Sequence, residues 1–330
     1  MGVSGGTARR STWLAVAVTL VAVGAVAVGA VAVGTVASGV DASGAALALA
    51  APARAAAQTR PASPAPLPPA SRERAAAFLL SRQDASGGFA EPGDQPTPGV
   101  TAWAAIALVA AGRVPAGAGD YLQAHEAELA SATDLELALL AERALGLPGA
   151  ALVERLHGLV APSGEIGPAL NSTFWGVIAL NAAGDPAPPG ALAAIRRGQA
   201  RSGGWPWYLG GRPDVGDTAA AILALRAAGA TAGDRAVTRA LAFLVACRGR
   251  DGGFATVPGG AADVQSTAWA AQALLAAGRD PGAATWAYLA RLQLHDGSFR
   301  FSAAYATTPV WVTSYALVAV ARAWYPVAAR

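Results

Sequence analysis

A threonine stands eleven residues before a glycine four times in this chain, at Thr101 and Gly112, Thr173 and Gly184, Thr218 and Gly229, and Thr267 and Gly278. The residues between are almost all apolar, and three of these runs follow a turn of two glycines and an aromatic ring: Gly87-Gly88-Phe89, Gly203-Gly204-Trp205 and Gly252-Gly253-Phe254. Leu135 keeps the same spacing to Gly146, and Thr313 takes the equivalent place near the end of the chain. Successive copies therefore lie 34 to 49 residues apart. Repetition on that scale restricts the chain to stacked supersecondary units, each burying its apolar face only against its neighbours.

Each unit reads as two helices. The first helices fall at about residues 72–82, 121–129, 149–160, 189–199, 237–244 and 283–293. The second fall at about 98–111, 134–145, 171–183, 217–228, 263–277 and 309–324. The second helices, such as AWAAIALVAAG and AWAAQALLAAG, are apolar nearly all round, as buried helices are. The first carry the charges, among them Arg72, Arg74, Arg196, Arg197, Arg235 and Arg239, and are expected to face water on one side. No strand-like alternation of any length is present. The expected fold is all-α: an α/α toroid of six units, twelve helices in an inner and an outer ring. Ring closure removes the need for capping repeats.

The N-terminus reads as an export segment. Arg9 and Arg10 precede an uncharged run from Trp13 to Val40, followed by the small-residue stretch Ala46 to Ala57. That is the make-up of a signal peptide, with a faint twin-arginine character, and the run is also long enough for a retained membrane anchor. Both readings place the rest of the chain, residues 72–330, outside the cytoplasmic membrane. Residues 58–71 carry five prolines and read as an extended tether. A charged fraction of 14%, a net charge of +3 and the absence of Lys/Arg runs argue against nucleic acid. The single Cys247 excludes an intrachain disulfide and reads as a small core residue.

The turns carry a resemblance. Gln83-x-x-x-Gly87-Gly88-Phe89, Gln199-x-x-x-Gly203-Gly204-Trp205 and Gln293-x-x-x-Gly297-Ser298-Phe299 resemble the QW-type repeats of the squalene cyclase and protein prenyltransferase β-subunit superfamily, over about residues 72–324. The Gln amide is suited to helix-end groups, the glycines to a tight turn, and the ring to the seam between units. The resemblance implies a terpenoid-cyclase-like toroid, but activity has to be argued from the site. Cyclases of this type protonate an alkene with the third residue of Asp-x-Asp-Asp-Thr. The matching stretch is Asp214-Val215-Gly216-Asp217-Thr218, with glycine at the donor position. Asp214 and Asp217 are the catalytic candidates if the chain is a cyclase; otherwise they cap a helix. The prenyltransferase zinc ligands Asp, Cys and His align with Asp263, Gln265 and Val312, so no metal is expected, and no cofactor motif is present.

A set of aromatics remains. Trp103, Trp175 and Trp269 lie two residues after the repeat threonine, and Tyr315 shares that register. Trp311 and Trp207 fall near the same mouth, with Asn171, Asp214, Asp217, Asp263 and Gln265 as polar anchors. Such a group either fills the barrel or lines an apolar ligand pocket. Three functions follow. The first is an exported, non-catalytic toroid binding a hydrophobic or bulky small molecule, as cobalamin carriers of the same fold class do. The second is a terpene cyclase using a degenerate acid motif, disfavoured by the single toroid and by export. The third is a scaffold for an unknown protein partner. The first reading carries the expectation that the hole holds no acid.

Overall fold

The computed structural model describes residues 69–327; the expected signal or anchor, and the tether up to residue 68, lie outside the described residues. The described part is mostly helical, with twelve α-helices. In chain order they are α1 (Pro69–Leu80), α2 (Pro98–Ala110), α3 (Ala118–Ala124), α4 (Ala132–Ala144), α5 (Ala150–His157), α6 (Leu170–Ala182), α7 (Pro189–Arg197), α8 (Val215–Ala227), α9 (Arg235–Ala246), α10 (Val264–Ala276), α11 (Ala283–Leu292) and α12 (Pro309–Val320). A two-residue antiparallel pair, β1 (Phe254–Ala255) with β2 (Ala262–Asp263), is the small exception to the all-α expectation.

The even-numbered helices pack neighbour on neighbour, α2 on α4, α4 on α6 and onward, and α12 returns to α2. The odd-numbered helices cover them from outside: α3 on α2, α5 on α4, α7 on α6, α9 on α8, α11 on α10, and α1 on both α12 and α2. This is an α/α toroid. The inner helices are buried on every face, as in α8, where Asp217 to Leu225 are all buried. Alanine makes the close approach possible, because a helix–helix distance is set by the side chains at the contact. Outer α9 buries Val237, Leu241 and Leu244 and turns Arg235 to solvent. Cys247, at the end of α9, is buried core.

The repeated residues have three jobs. The threonine hydroxyl accepts the backbone N–H of the turn aromatic: Phe89 to Thr101, Trp205 to Thr218, Phe254 to Thr267 and Phe299 to Thr313, each at 2.9 Å. The aromatic rings themselves are 0–1% exposed and fill the seam between a turn and its unit. The glutamine amide joins one unit to the next. Gln199 Nε2 donates to Gly203 O in its own turn and to Ala236 O at the start of α9, both at 2.8 Å. Gln83 does the same to Gly87 O and Ala116 O. Gln293 Nε2 donates to Gly297 O at 3.0 Å and to Ser71 O at 2.9 Å, while its Oε1 accepts from Ser71 and Arg74, which ties the last unit to the first. Gly297, at φ 94°, is irreplaceable at this junction, since a Cβ there would overlap the Arg74 carbonyl oxygen.

Replacing Thr218 by valine keeps the shape and strands the Trp205 N–H in the core. The expected loss is about 1–3 kcal/mol of unfolding free energy, read from urea melts. A loss below about 0.5 kcal/mol would show that the repeat threonine is not the acceptor that fixes the turn.

Two expected elements end early. The predicted first helix of the second unit, 121–129, is instead α3 ending at Ala124, followed by a 3₁₀ turn at Glu126–Glu128. This unit lacks the double-glycine turn, and the 3₁₀ turn makes the connection to α4. The sixth inner helix stops at Val320 rather than 324. Arg322 adopts φ 58°, and Ala323 N bonds back to Val318 O at 3.1 Å. That is the closure glycine gives at the end of α2, where Gly112 N bonds Val109 O and Arg113 N bonds Leu108 O. The chain therefore turns back toward the ring after α12.

Candidate functional site

The inner helices begin side by side at one end of the ring. Asn171 N of α6 donates to Trp207 O in the loop before α8; Val215 N of α8 donates to Thr256 O before α10; Val264 N of α10 donates to Phe301 O before α12. At α12, Val310 N and Trp311 N donate to the Glu91 carboxylate in the loop before α2, at 3.0 and 2.9 Å. Two residues before each repeat position stand Gly99, Thr133, Asn171, Gly216, Gln265 and Trp311, one per inner helix. All but Asn171 retain solvent exposure. A Cβ added to Gly99 would meet nothing within 4 Å, and one on Gly216 only Asp214 Oδ1 at 3.3 Å. These positions form the solvent-facing vestibule of the ring.

One helical turn deeper, the aromatic residues converge. The ring of Trp103 lies 5.8 Å from Trp175, 5.9 Å from Trp269, 4.9 Å from Tyr315 and 6.4 Å from Trp311. Most of these contacts are edge-to-face, the arrangement the ring quadrupoles favour. Tyr325, from the segment after α12, enters the same cluster, 5.5–5.7 Å from Trp103, Trp175 and Trp269. Of the two sequence-level alternatives, the deep rings take the filling role: Trp103, Trp269, Tyr315 and Tyr325 are at most 7% exposed. Trp175 and Trp311 are half-buried and border the vestibule. Trp207 stands exposed on the loop above Asn171.

The acidic residues separate into three settings. Asp214 caps α8, its Oδ1 accepting Asp217 N at 2.9 Å. Asp217 is buried and accepts from Asn171 Nδ2 at 2.7 Å, so its carboxyl faces α6. Burial holds its pKa well above the carboxylate range; the Asp214 charge and their hydrogen bond add to this, and the Asn171 amide only partly opposes it. Asp263 caps α10 and is committed to Ser266 N at 2.6 Å, Ser266 Oγ at 2.8 Å and Thr256, away from the other two. Burial raises it to about 6, against the pull of those hydrogen bonds.

The third setting corrects the expectation that the hole holds no acid. Glu136 on α4 is 1% exposed, and neither carboxyl oxygen has a hydrogen-bond partner. It lines a cavity of about 20 Å³ with Trp103, Thr133, Leu137 and Trp175. Burial raises its pKa far above the usual glutamate range, and the nearby Asp134 charge adds to the effect. Sequence reasoning missed it, although one signal was present. The equivalent positions on the other inner helices are Ala102, Phe174, Ala219, Ala268 and Ser314, so a charged residue here is the exception. Tyr325, whose hydroxyl also lacks a partner, was missed because helix α12 was expected to continue through residue 324.

No family model matches the chain, and no curated protein matches it in sequence. Solved structures match its fold. A protein from Actinoplanes superposes with a TM-score of 0.59 at 22% identity, covering 77% of this chain and 98% of that one. The type II terpene cyclase MstE from Scytonema gives 0.58 at 17% identity, covering 76% and 97%. Variants of that cyclase were solved with geranylgeranyl dihydroxybenzoate and with merosterolic acid A. A glycosidase in complex with glucose gives 0.54 at 14% identity, covering 77% and 96%. At these identities the likeness is one of fold. The fold of residues 69–327 is that of the terpenoid-cyclase-like α/α toroids.

Proposed function

We propose that this chain is an exported toroid of six two-helix units that binds a hydrophobic small molecule in the vestibule and does not transform it. Residues 1–57 serve as a cleaved signal or a retained anchor, and 58–71 as a tether. The observation that carries the reading is an aromatic floor under the solvent-facing end of the ring. Trp175 and Trp311 are half-buried at its edge, and Gly99 and Gly216 leave space above it. Apolar pockets with a few polar anchors are where small ligands bind. Asp214 and Gln265 supply the rim, with Asn171, Asp217 and Asp263 buried behind it; Trp207 overhangs it, and Trp103, Trp269 and Tyr315 make the base. Gly216 leaves the mouth without the side chain a cyclase uses as its proton donor.

A second reading, a terpene cyclase using Asp217, draws on the raised pKa of that residue, which holds a proton at neutral pH. It is secondary because one oxygen of that carboxyl, Oδ1, is engaged by Asn171 from α6.

One experiment separates the two. Titration with geranylgeraniol or squalene, followed by tryptophan fluorescence, is expected to saturate at one molecule per chain. Trp311→Ala is expected to weaken binding about tenfold, a cost of roughly 1.4 kcal/mol. The recovered lipid should be unchanged. A cyclic product that disappears in Asp217→Asn would establish the cyclase instead. An absence of binding by any isoprenoid would overturn both readings.

A further inference from the structure

We propose that the end of the ring opposite the vestibule holds a second site, a cup for one aromatic ring without polar groups, which Tyr325 occupies and vacates when the segment after α12 swings out. This site is separate from the vestibule and stands whether or not the vestibule binds a lipid. Its base is the three indoles of Trp103, Trp175 and Trp269, whose centroids stand 5.8, 5.9 and 5.3 Å apart. They come from α2, α6 and α10, every second helix of the inner ring, so the triangle they make closes the ring at its centre. The Tyr325 ring lies 5.7, 5.6 and 5.5 Å from the three. Those distances match the sides of the triangle, so Tyr325 caps it as an apex on the axis. It caps the far side, because its chain arrives from the end of α12 at Val320, away from the vestibule.

The lining shows what the cup takes. Tyr325 is 1% exposed, and its hydroxyl has no hydrogen-bond partner among the described residues. Tyr315, the other phenol of the cluster, is engaged by the Trp311 indole. The cup therefore offers ring faces and edges but nothing for a hydroxyl. A buried polar group left without a partner is the costly case, so a plain hydrocarbon ring suits the cup better than the tyrosine that fills it.

The segment carrying Tyr325 is poised to leave. Ala323 N still bonds to Val318 O, but residues 324–327 make no backbone hydrogen bond to any described residue. The pivot is Arg322, one of two non-glycine residues with positive φ among those described. At 58° it adopts a conformation that an L side chain holds only under constraint. The constraint lies in the outer layer: the Arg322 guanidinium pairs with Asp280, just before α11, at 2.7 Å, and lies 4.1 Å over the ring of Trp286 on α11. The Arg322 and Asp280 side chains are 39% and 59% exposed, so the latch is a weak one.

Toluene, the free counterpart of a phenylalanine side chain, tests the site by calorimetry, with hydrogen exchange of residues 323–327 followed by mass spectrometry. It is expected to bind the wild-type chain and to speed exchange of that segment. Apparent affinity scales with the fraction of molecules whose cup is open, so variants of the plug should move it in opposite directions. Tyr325→Phe removes the unpartnered hydroxyl, seats the plug more firmly and should weaken toluene binding about fivefold. Arg322→Ala, which undoes the latch, should strengthen it about threefold, and Tyr325→Gly, which empties the cup, about tenfold or more. The first two keep the cluster filled and decide the matter even if Tyr325→Gly is too unstable to assay. Affinity that ignores Tyr325 and Arg322 but falls in Trp311→Ala would place toluene in the vestibule and overturn the cup. Binding confined to Tyr325→Gly, or exchange of 323–327 unchanged by bound toluene, would show that the segment never withdraws and would overturn it as well. Toluene binding to none of these chains would do the same, and would leave the isoprenoid reading of the vestibule intact.

Discussion

Truncating Trp269 to alanine is expected to cost about 3–5 kcal/mol of stability. Its ring touches Trp103, Trp175, Tyr315 and Tyr325 at 4.9–5.9 Å, so its removal takes away four aromatic contacts together. The surrounding helices cannot collapse into the gap, because they already meet through alanine. Urea unfolding gives the number. A loss below about 1 kcal/mol would mean that the ring lines a solvated channel rather than holding the six inner helices around a shared centre. Trp207→Ala, at an exposed position, is the contrasting control and should cost little.

Glu136→Met should act in the opposite direction. Replacing a buried, unpartnered polar group by an apolar one of similar length removes a desolvation penalty of about 1–3 kcal/mol at neutral pH. The gain should be larger at higher pH, and the sign follows from the direction of the shift. An acid whose folded-state pKa lies above its unfolded value is stabilising relative to the ionised form below the unfolded value, about pH 4, and that advantage is lost as pH rises through the folded value. The declines start together near the unfolded value; that of Asp263 is complete at about pH 6 and that of Asp217 at about 9, and Glu136 acts in the same direction. The wild-type protein is therefore expected to be more stable at pH 5 than at pH 8. Glu136→Met should flatten part of that slope in thermal melts. An unchanged slope together with an unchanged midpoint would show that the carboxyl finds water or a partner in solution. A residue whose removal stabilises the fold is characteristic of a group kept for function.

Much of the architecture was legible because it is written in repeats. The eleven-residue spacing from threonine to glycine marks an inner helix from the residue that receives the turn N–H to the glycine that ends it. The Gln-x-x-x-Gly-Gly-aromatic motif marks the turn and the stitch to the next outer helix. The aromatic register was legible for the same reason: once one copy was known, Trp103, Trp175, Trp269 and Tyr315 fell at equivalent places. What escaped was what occurs once. Tyr325 reaches the aromatic cluster only because Arg322 closes α12 in a left-handed conformation that the sequence pattern reserves for glycine. Glu136 lies in ATDLELALLAERA, which carries Asp134, Glu136, Glu142 and Arg143 and is less apolar than the other inner helices. Its burial follows from α4 being clasped between α2 and α6, which is a property of the ring and not of the segment.

The occupancy of the vestibule is the claim on which the functional reading stands, and native mass spectrometry of the protein purified from its own host tests it most directly. The account predicts a single apolar molecule bound per chain, retained under gentle ionisation and released by Trp311→Ala. Protein that arrives bare, and stays bare after incubation with isoprenoid alcohols and amines, would contradict it.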